Sequence, residues 1–206
     1  MLFKKSLTAA AMLLFLNTTW AAPILTSFTD ESVFFGEDQS LGYAFSSDTS
    51  TTITALGFWD SNRDGFNEDH EVALWDSAGT LLGSVDLTAG TGDTLIGDFR
   101  YANLTTAVSL IAGATYFLAG TTTEDFWVFQ ASNIVMQSGF NYLGSYFFDG
   151  TPGGQAVFPG SLAFSREYMT VNALSGEAAI PLPGTLALLS IGLIAVSRRL
   201  VKDKHA

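Results

Sequence analysis

Twelve consecutive residues hold the densest chemistry in the chain: Asp60-Ser61-Asn62-Arg63-Asp64-Gly65-Phe66-Asn67-Glu68-Asp69-His70-Glu71. Oxygen-bearing side chains stand at the first, third and fifth positions, glycine at the sixth and glutamate at the twelfth, which is the spacing of a calcium loop. Calcium takes about six to eight oxygens at roughly 2.3–2.6 Å, and alternate side chains of a tight loop surround one ion. In that arrangement Asp60, Asn62 and Asp64 each give an oxygen, Phe66 its carbonyl, Glu68 an oxygen directly or through water, and Glu71 both carboxylate oxygens. Gly65 makes the sharp turn. Five acids and one arginine in this stretch repel one another unless a cation sits among them. The expectation is a structural calcium site, and the alternative is a solvated acidic turn.

Other residues offer less chemistry. His70 is expected as a loop residue lending polarity, because no Gly-x-Ser-x-Gly elbow and no His-Glu-x-x-His motif accompanies it. Glu124-Asp125 or Glu167 would supply carboxylates for glycoside cleavage, but the separation that reaction needs is a property of the fold. No enzyme is expected. The aromatic runs Phe126-Trp127-Val128-Phe129 and Tyr142-Leu143-Gly144-Ser145-Tyr146-Phe147-Phe148 serve either a core or a face on which sugar rings stack. On the second reading Trp127, Tyr142 and Tyr146 are the glycan contacts of a carbohydrate-binding module.

The elements that position these residues read as strands. Phe58-Trp59 before the acidic loop and Val72-Ala73-Leu74-Trp75 after it are strand-like, so the loop is expected to pin a strand connection. Short runs with period two recur between Gly, Asp, Ser and Asn: 41–46, 52–59, 71–76, 81–87, 104–111, 115–121, 126–131, 143–148, 156–164 and 168–174. Leu81, Val85 and Leu87 are expected to face a core while Ser84 and Asp86 face water. Leu95, Phe99 and Tyr101 are expected to oppose Asp98 and Arg100 in the same way. Asp76-Ser77-Ala78-Gly79 predicts a tight hairpin, and Gly113-Ala114-Thr115-Tyr116 a tyrosine corner at a Greek-key crossing. About ten short strands predict an all-β, antiparallel β-sandwich of jelly-roll or Greek-key type. The order of motifs from Ala55-Leu56-Gly57-Phe58-Trp59-Asp60 through Leu74-Trp75-Asp76 to Gly113-Ala114-Thr115-Tyr116 resembles a β-sandwich domain of unknown function found in secreted bacterial proteins.

Composition narrows the function classes. The 206 residues carry a net charge of −11 and no cysteine, which excludes a disulfide scaffold, a cysteine zinc site and a thiol nucleophile. Six of the nine basic residues lie at the ends, leaving Arg63, Arg100 and Arg166 against nineteen acids between Ala22 and Ile180, a formal −16. Phosphate recognition needs clustered cations, so no nucleic acid partner is expected.

The two ends read as addresses. Residues 1–21, with Lys4 and Lys5, an apolar run from Leu7 to Leu16 and small residues before Ala22, predict a helical signal peptide. Residues 22–179 are the expected β-sandwich domain. Residues 180–206 combine Pro181-Leu182-Pro183, an uncharged run from Gly184 to Ser197 and the basic tail of Arg198, Arg199, Lys202 and Lys204. This predicts a short transmembrane helix over 185–197 with its tail in the cytoplasm. The three-part end resembles the PEP-CTERM sorting signal of Gram-negative bacteria that make extracellular polysaccharide, with Leu182 where that family has glutamate. The resemblance implies an exosortase-type membrane transpeptidase as partner, transient residence in the inner membrane, cutting near the proline motif, and a final place at the cell surface or in the matrix beside exopolysaccharide.

Overall fold

A computed structural model describes residues 21–36 and 38–176 of the chain. The expected signal helix and the segment 180–206, with Pro181, Pro183, Arg198 and Arg199, lie outside the described residues. Among the described residues no helix is long and apolar enough to cross a membrane.

The strands are β1 (Ala22–Pro23), β2 (Leu25–Phe35), β3 (Gln39–Ser47), β4 (Thr51–Trp59), β5 (His70–Asp76), β6 (Leu81–Leu87), β7 (Thr94–Ile96), β8 (Phe99–Leu110), β9 (Thr115–Thr122), β10 (Phe126–Met136), β11 (Phe140–Asp149), β12 (Ser161–Leu162) and β13 (Val171–Ser175). They pair into a five-stranded sheet, β1-β13-β4-β8-β7, a six-stranded sheet, β12-β11-β3-β9-β5-β6, and a two-stranded ribbon, β10-β2. Every strand pairing is antiparallel. The expected all-β sandwich is therefore the architecture observed.

The main core holds Leu56, Phe58 and Val171 from the five-stranded sheet and Leu41, Phe45, Val72, Leu74 and Leu118 from the six-stranded one. Burying one such side chain contributes about 1.5–3 kcal/mol. A second cluster, Ala44, Ala73, Trp75, Phe117 and Ala119, uses the alternate positions of β3, β5 and β9. Phe158 packs edge-on against Trp75 and Phe117, at ring separations of 6.2 and 4.9 Å. The middle of the six-stranded sheet is thus covered on both faces, which is why those strands read as near-continuous apolar runs.

Both local signals take the predicted form. Gly79 turns the β5–β6 hairpin at φ +80°, and the Asp76 carboxylate accepts the Ala78 and Thr80 amides at 2.9 Å each. The Thr80 amide leads in holding the Asp76 carboxyl below its ordinary pKa. The Tyr116 hydroxyl accepts the Ile111 amide at 2.8 Å, closing the tyrosine corner.

Three expectations are corrected, and one strand goes unread in the sequence. Leu81 is exposed, because a register shift between Leu74 and Trp75 sets Leu81 opposite Trp75 and turns it off the main core. Leu95, on the edge strand β7, is also exposed. Within 156–164 only Ser161–Leu162 forms strand, and the rest is the covering segment that carries Phe158. Strand β2 has no counterpart in the predicted runs. Its Thr, Ser and acidic residues lack strict alternation, and four register shifts interrupt its pairing with β10.

Candidate functional site

The acidic loop joins the end of β4 to the start of β5. Its first residue is anchored on both sides: the Asp60 amide donates to the Asp98 carbonyl at 2.8 Å, and the side chain is almost fully buried. The chain then reverses tightly, with Arg63 at φ +61° and Gly65 at φ +101°. A Cβ at position 65 would fall 2.6 Å from the Gly90 carbonyl oxygen, so only glycine fits there. The Gly65 amide donates to Asp60 Oδ2 at 3.1 Å.

Arg100 fills the hollow of this turn. It comes from β8, is 4% exposed, and its Nε donates to the same Asp60 Oδ2 at 2.7 Å. Nη1 donates to the Thr91 and Asp93 carbonyls at 3.1 Å each, and Nη2 to the Arg63 carbonyl at 3.3 Å. One guanidinium thus closes two loops onto β8. Arg100 had been expected to face water. It faces inward because the register pairs it with Phe58, which stacks in the core on His70, while Phe99 and Tyr101 take the opposite face beneath β2.

The far end of the loop is held by His70, which is buried at the start of β5 and so is not the loop residue expected. Its ring lies parallel to Phe58 at 4.1 Å and edge-on to Phe66 at 4.9 Å. Nδ1 is 2.8 Å from the Thr121 carbonyl and Nε2 is 3.0 Å from Asp125 Oδ2. Each ring nitrogen thus lies within hydrogen-bond reach of one oxygen, which fixes the plane of the ring. Asp125 also accepts the Asn67 amide, the Asn67 side-chain amide and the Glu68 amide. Burial alone would raise the Asp125 carboxyl, but the hydrogen bonds from His70 and Asn67, with the His70 charge, hold it below its ordinary pKa.

The six residues of the calcium pattern are not brought to one point. Asp60 faces Arg100, and the Phe66 carbonyl accepts the Gly90 amide at 2.7 Å. Glu68 Oε1 accepts the Glu124 amide, and Glu71, out on β5, accepts the Ala156 amide at 2.7 Å. Asn62 and Asp64 are exposed. A cleft of about 280 Å³ beside them is lined by Asp60, Asn62, Asp64, Asn67 and Asp125. Its two buried carboxylates already face Arg100 and His70. Among the described residues no three His, Asp or Glu side chains are grouped so as to hold a metal ion. The donor set does not fit a calcium cage.

The other candidates are dispersed. Trp127 is 1% exposed, its Nε1 donates to the Gly36 carbonyl at 2.8 Å, and it presents no face to solvent. Tyr146 is half-buried, edge-on to Phe117. The Tyr142 hydroxyl is bonded to Glu167 and to Ser145, and burial raises the Glu167 carboxyl above its ordinary value. Sequence reasoning missed Arg100, the His70–Asp125 pair and the reach of Asp125 into the loop. The one available signal was that Arg100 is one of three cations in a lysine-free interior.

No curated protein matches this sequence. Residues 179–202 match the PEP-CTERM protein-sorting motif, which marks the chain for export, transient membrane anchoring and processing by an exosortase membrane enzyme. Residues 29–164, which span the acidic loop, His70 and Arg100, match the family described as Domain of unknown function (DUF4082), and the chain belongs to that family.

Proposed function

We propose that this chain is a non-catalytic protein of the cell surface or extracellular matrix of a Gram-negative bacterium, resident beside exopolysaccharide once its sorting segment has been processed. The observation that carries the reading is the sorting motif at 179–202, placed directly after a sandwich whose most chemically dense loop is engaged with its own chain. Asp125 lies in the loop network and Glu167 bonds Tyr142, so two of the three carboxylates considered for glycoside cleavage have structural partners. Mass spectrometry of the protein recovered from producing cells tests the sorting step. The expected species ends near Pro181–Pro183, and an intact tail through Ala206 would overturn it. Co-sedimentation of that species with the producer's exopolysaccharide tests the location, and recovery only in the polymer-free supernatant would refute it.

Glycan recognition has one observation in its favour, at a place other than Trp127. A cleft of about 320 Å³ lies between β2 and the five-stranded sheet, lined by Phe28, Phe99 and Tyr101 with Ser61, Asp30 and Asp98. Aromatic walls with carboxylates at hand suit a neutral sugar, whose hydroxyls donate while its ring packs on the aromatic rings. A glycan array on the full chain distinguishes the two readings: saturable binding abolished by Asp30→Ala supports recognition, and a blank array leaves the structural role.

A further inference from the structure

We propose that the loop 60–65 carries its counter-charge within the chain: the Arg100 guanidinium pairs with Asp60, the first residue of the calcium pattern, gathers three backbone carbonyls around itself, and lets the loop close without a metal. Of the oxygens around it, only that of Asp60 belongs to the pattern. Asp60 Oδ2 and the carbonyls of Arg63, Thr91 and Asp93 all point at one cation, at 2.7, 3.3, 3.1 and 3.1 Å. Those are hydrogen-bond lengths, longer than the roughly 2.3–2.6 Å of calcium–oxygen contacts. A guanidinium presents five N–H donors in a fixed plane, and here four bonds leave it toward two loops.

Burial argues the same way. Of the three interior arginines, Arg63 is exposed and Arg166 lies over the Phe129 ring, while Arg100 is 4% exposed beside an aspartate that is 2% exposed. A buried charge is stable only when paired and hydrogen-bonded, and each of these two completes the other. Three other members of the calcium pattern are bonded elsewhere. Phe66 bridges to Gly90, Glu68 holds the Glu124 amide, and Glu71 holds the Ala156 amide. The turn of the calcium pattern is therefore closed on a side chain supplied from residue 100.

The test uses the full chain in about 5 mM calcium chloride and in excess chelator, a concentration above the roughly 10⁻⁴–10⁻³ M range of extracellular calcium modules. The wild type should melt at the same temperature in both, within about 1 °C, whereas an occupied site of that affinity would raise it by about 3 °C or more. Terbium titration, read by emission on exciting the neighbouring Trp59, should show no saturable signal that calcium displaces. A calcium-dependent rise in melting temperature that Asp60→Asn removes, or a displaceable terbium signal, would overturn the proposal. Arg100→Met and Arg100→Lys test the pair itself. Methionine, similar in length and uncharged, should lower melting by about 10 °C, and lysine by less because it keeps the charge. Methionine melting as high as the wild type would equally refute the role given to Arg100. Should the variants fail to fold, the wild-type titrations still decide.

Discussion

The acidic loop is closed at its two ends by different side chains, a guanidinium and an imidazole. At Asp60 the partner is a guanidinium, always charged, with its acceptors drawn from both loops around it. At Asp125 the partner is a buried imidazole whose other nitrogen meets the Thr121 carbonyl, with Asn67 and Glu68 supplying further donors. The first end depends on one side chain, and the second shares its load among several. The difference predicts a graded response to mutation along the same twelve residues.

The largest effect belongs to Arg100. Arg100→Met leaves the buried Asp60 carboxylate without its cation and three carbonyls without donors, and breaking a buried pair from one side costs about 3–5 kcal/mol. Urea titration of the full chain should show the loss as a lower midpoint. The double variant with Asp60→Asn should recover part of it, since the stranded charge is then gone. A double variant no better than Arg100→Met would mean that the carbonyls, not the aspartate, dominate that end.

At the other end, Asp125→Ala removes the acceptor for His70, both Asn67 donors and the Glu68 amide. The expected loss is about 1–3 kcal/mol, smaller than at Arg100 because Asn67 and Glu68 lie at the surface, where water replaces the lost acceptor. Hydrogen exchange should report faster opening of the Asn67 and Glu68 amides, while the Gly65 amide, bonded to Asp60, keeps its protection. Equal loosening of both ends would show that Arg100 and His70 act as one unit.

Much of this fold can be read from period-two runs, the Asp76–Gly79 turn and the Gly113–Tyr116 corner, because each is a local pattern with a local cause. Arg100 could not be read, and the reason lies outside its own strand. Alternation assigns the polar residue of Phe99-Arg100-Tyr101 to solvent, which holds only where one face is exposed. Here β2 covers the aromatic face, with Phe28 packed on Phe99 at 6.3 Å, and β2 itself lacks the alternation that would announce it. Missing one irregular strand therefore hid the partner of Asp60. Without that partner, the loop's spacing pointed to calcium. His70 was obscured differently, since the twelve-residue pattern runs to Glu71 while the strand begins one residue earlier.

Acid separates the His70–Asp125 end from the rest by the sign of its response. The folded Asp125 carboxyl sits below its ordinary value near about 3.9, so its contribution is present above that value and is lost as pH falls through the folded one. Glu167, raised by burial, works in the opposite sense: its ionisation is disfavoured in the fold, so its contribution falls as pH rises through the ordinary glutamate value near about 4.3. Melting temperature followed across this acid range should drop less steeply on acidification in Asp125→Asn than in the wild type, and Glu167→Gln should shift the curve the other way. Parallel curves for Asp125→Asn and the wild type would contradict the assignment of that carboxyl.

The smallest effect is expected within the same turn, at its own arginine. Arg63 Nε donates to Asp98 Oδ1 at 2.7 Å, a bond as short as the one from Arg100 to Asp60, yet both side chains are more than half exposed. Distance alone would rank the two pairs equal; burial separates them. An exposed pair contributes about 0–1 kcal/mol and weakens with salt. Arg63 also stands at φ +61°, where a non-glycine residue is strained by about 1–2 kcal/mol. Arg63→Gly relieves that strain while deleting the pair, so the variant should match or slightly exceed the wild type in stability, most visibly at high salt. A loss approaching that of Arg100→Met would place the loop's essential cation at residue 63 and undo the contrast between the buried and the exposed arginine.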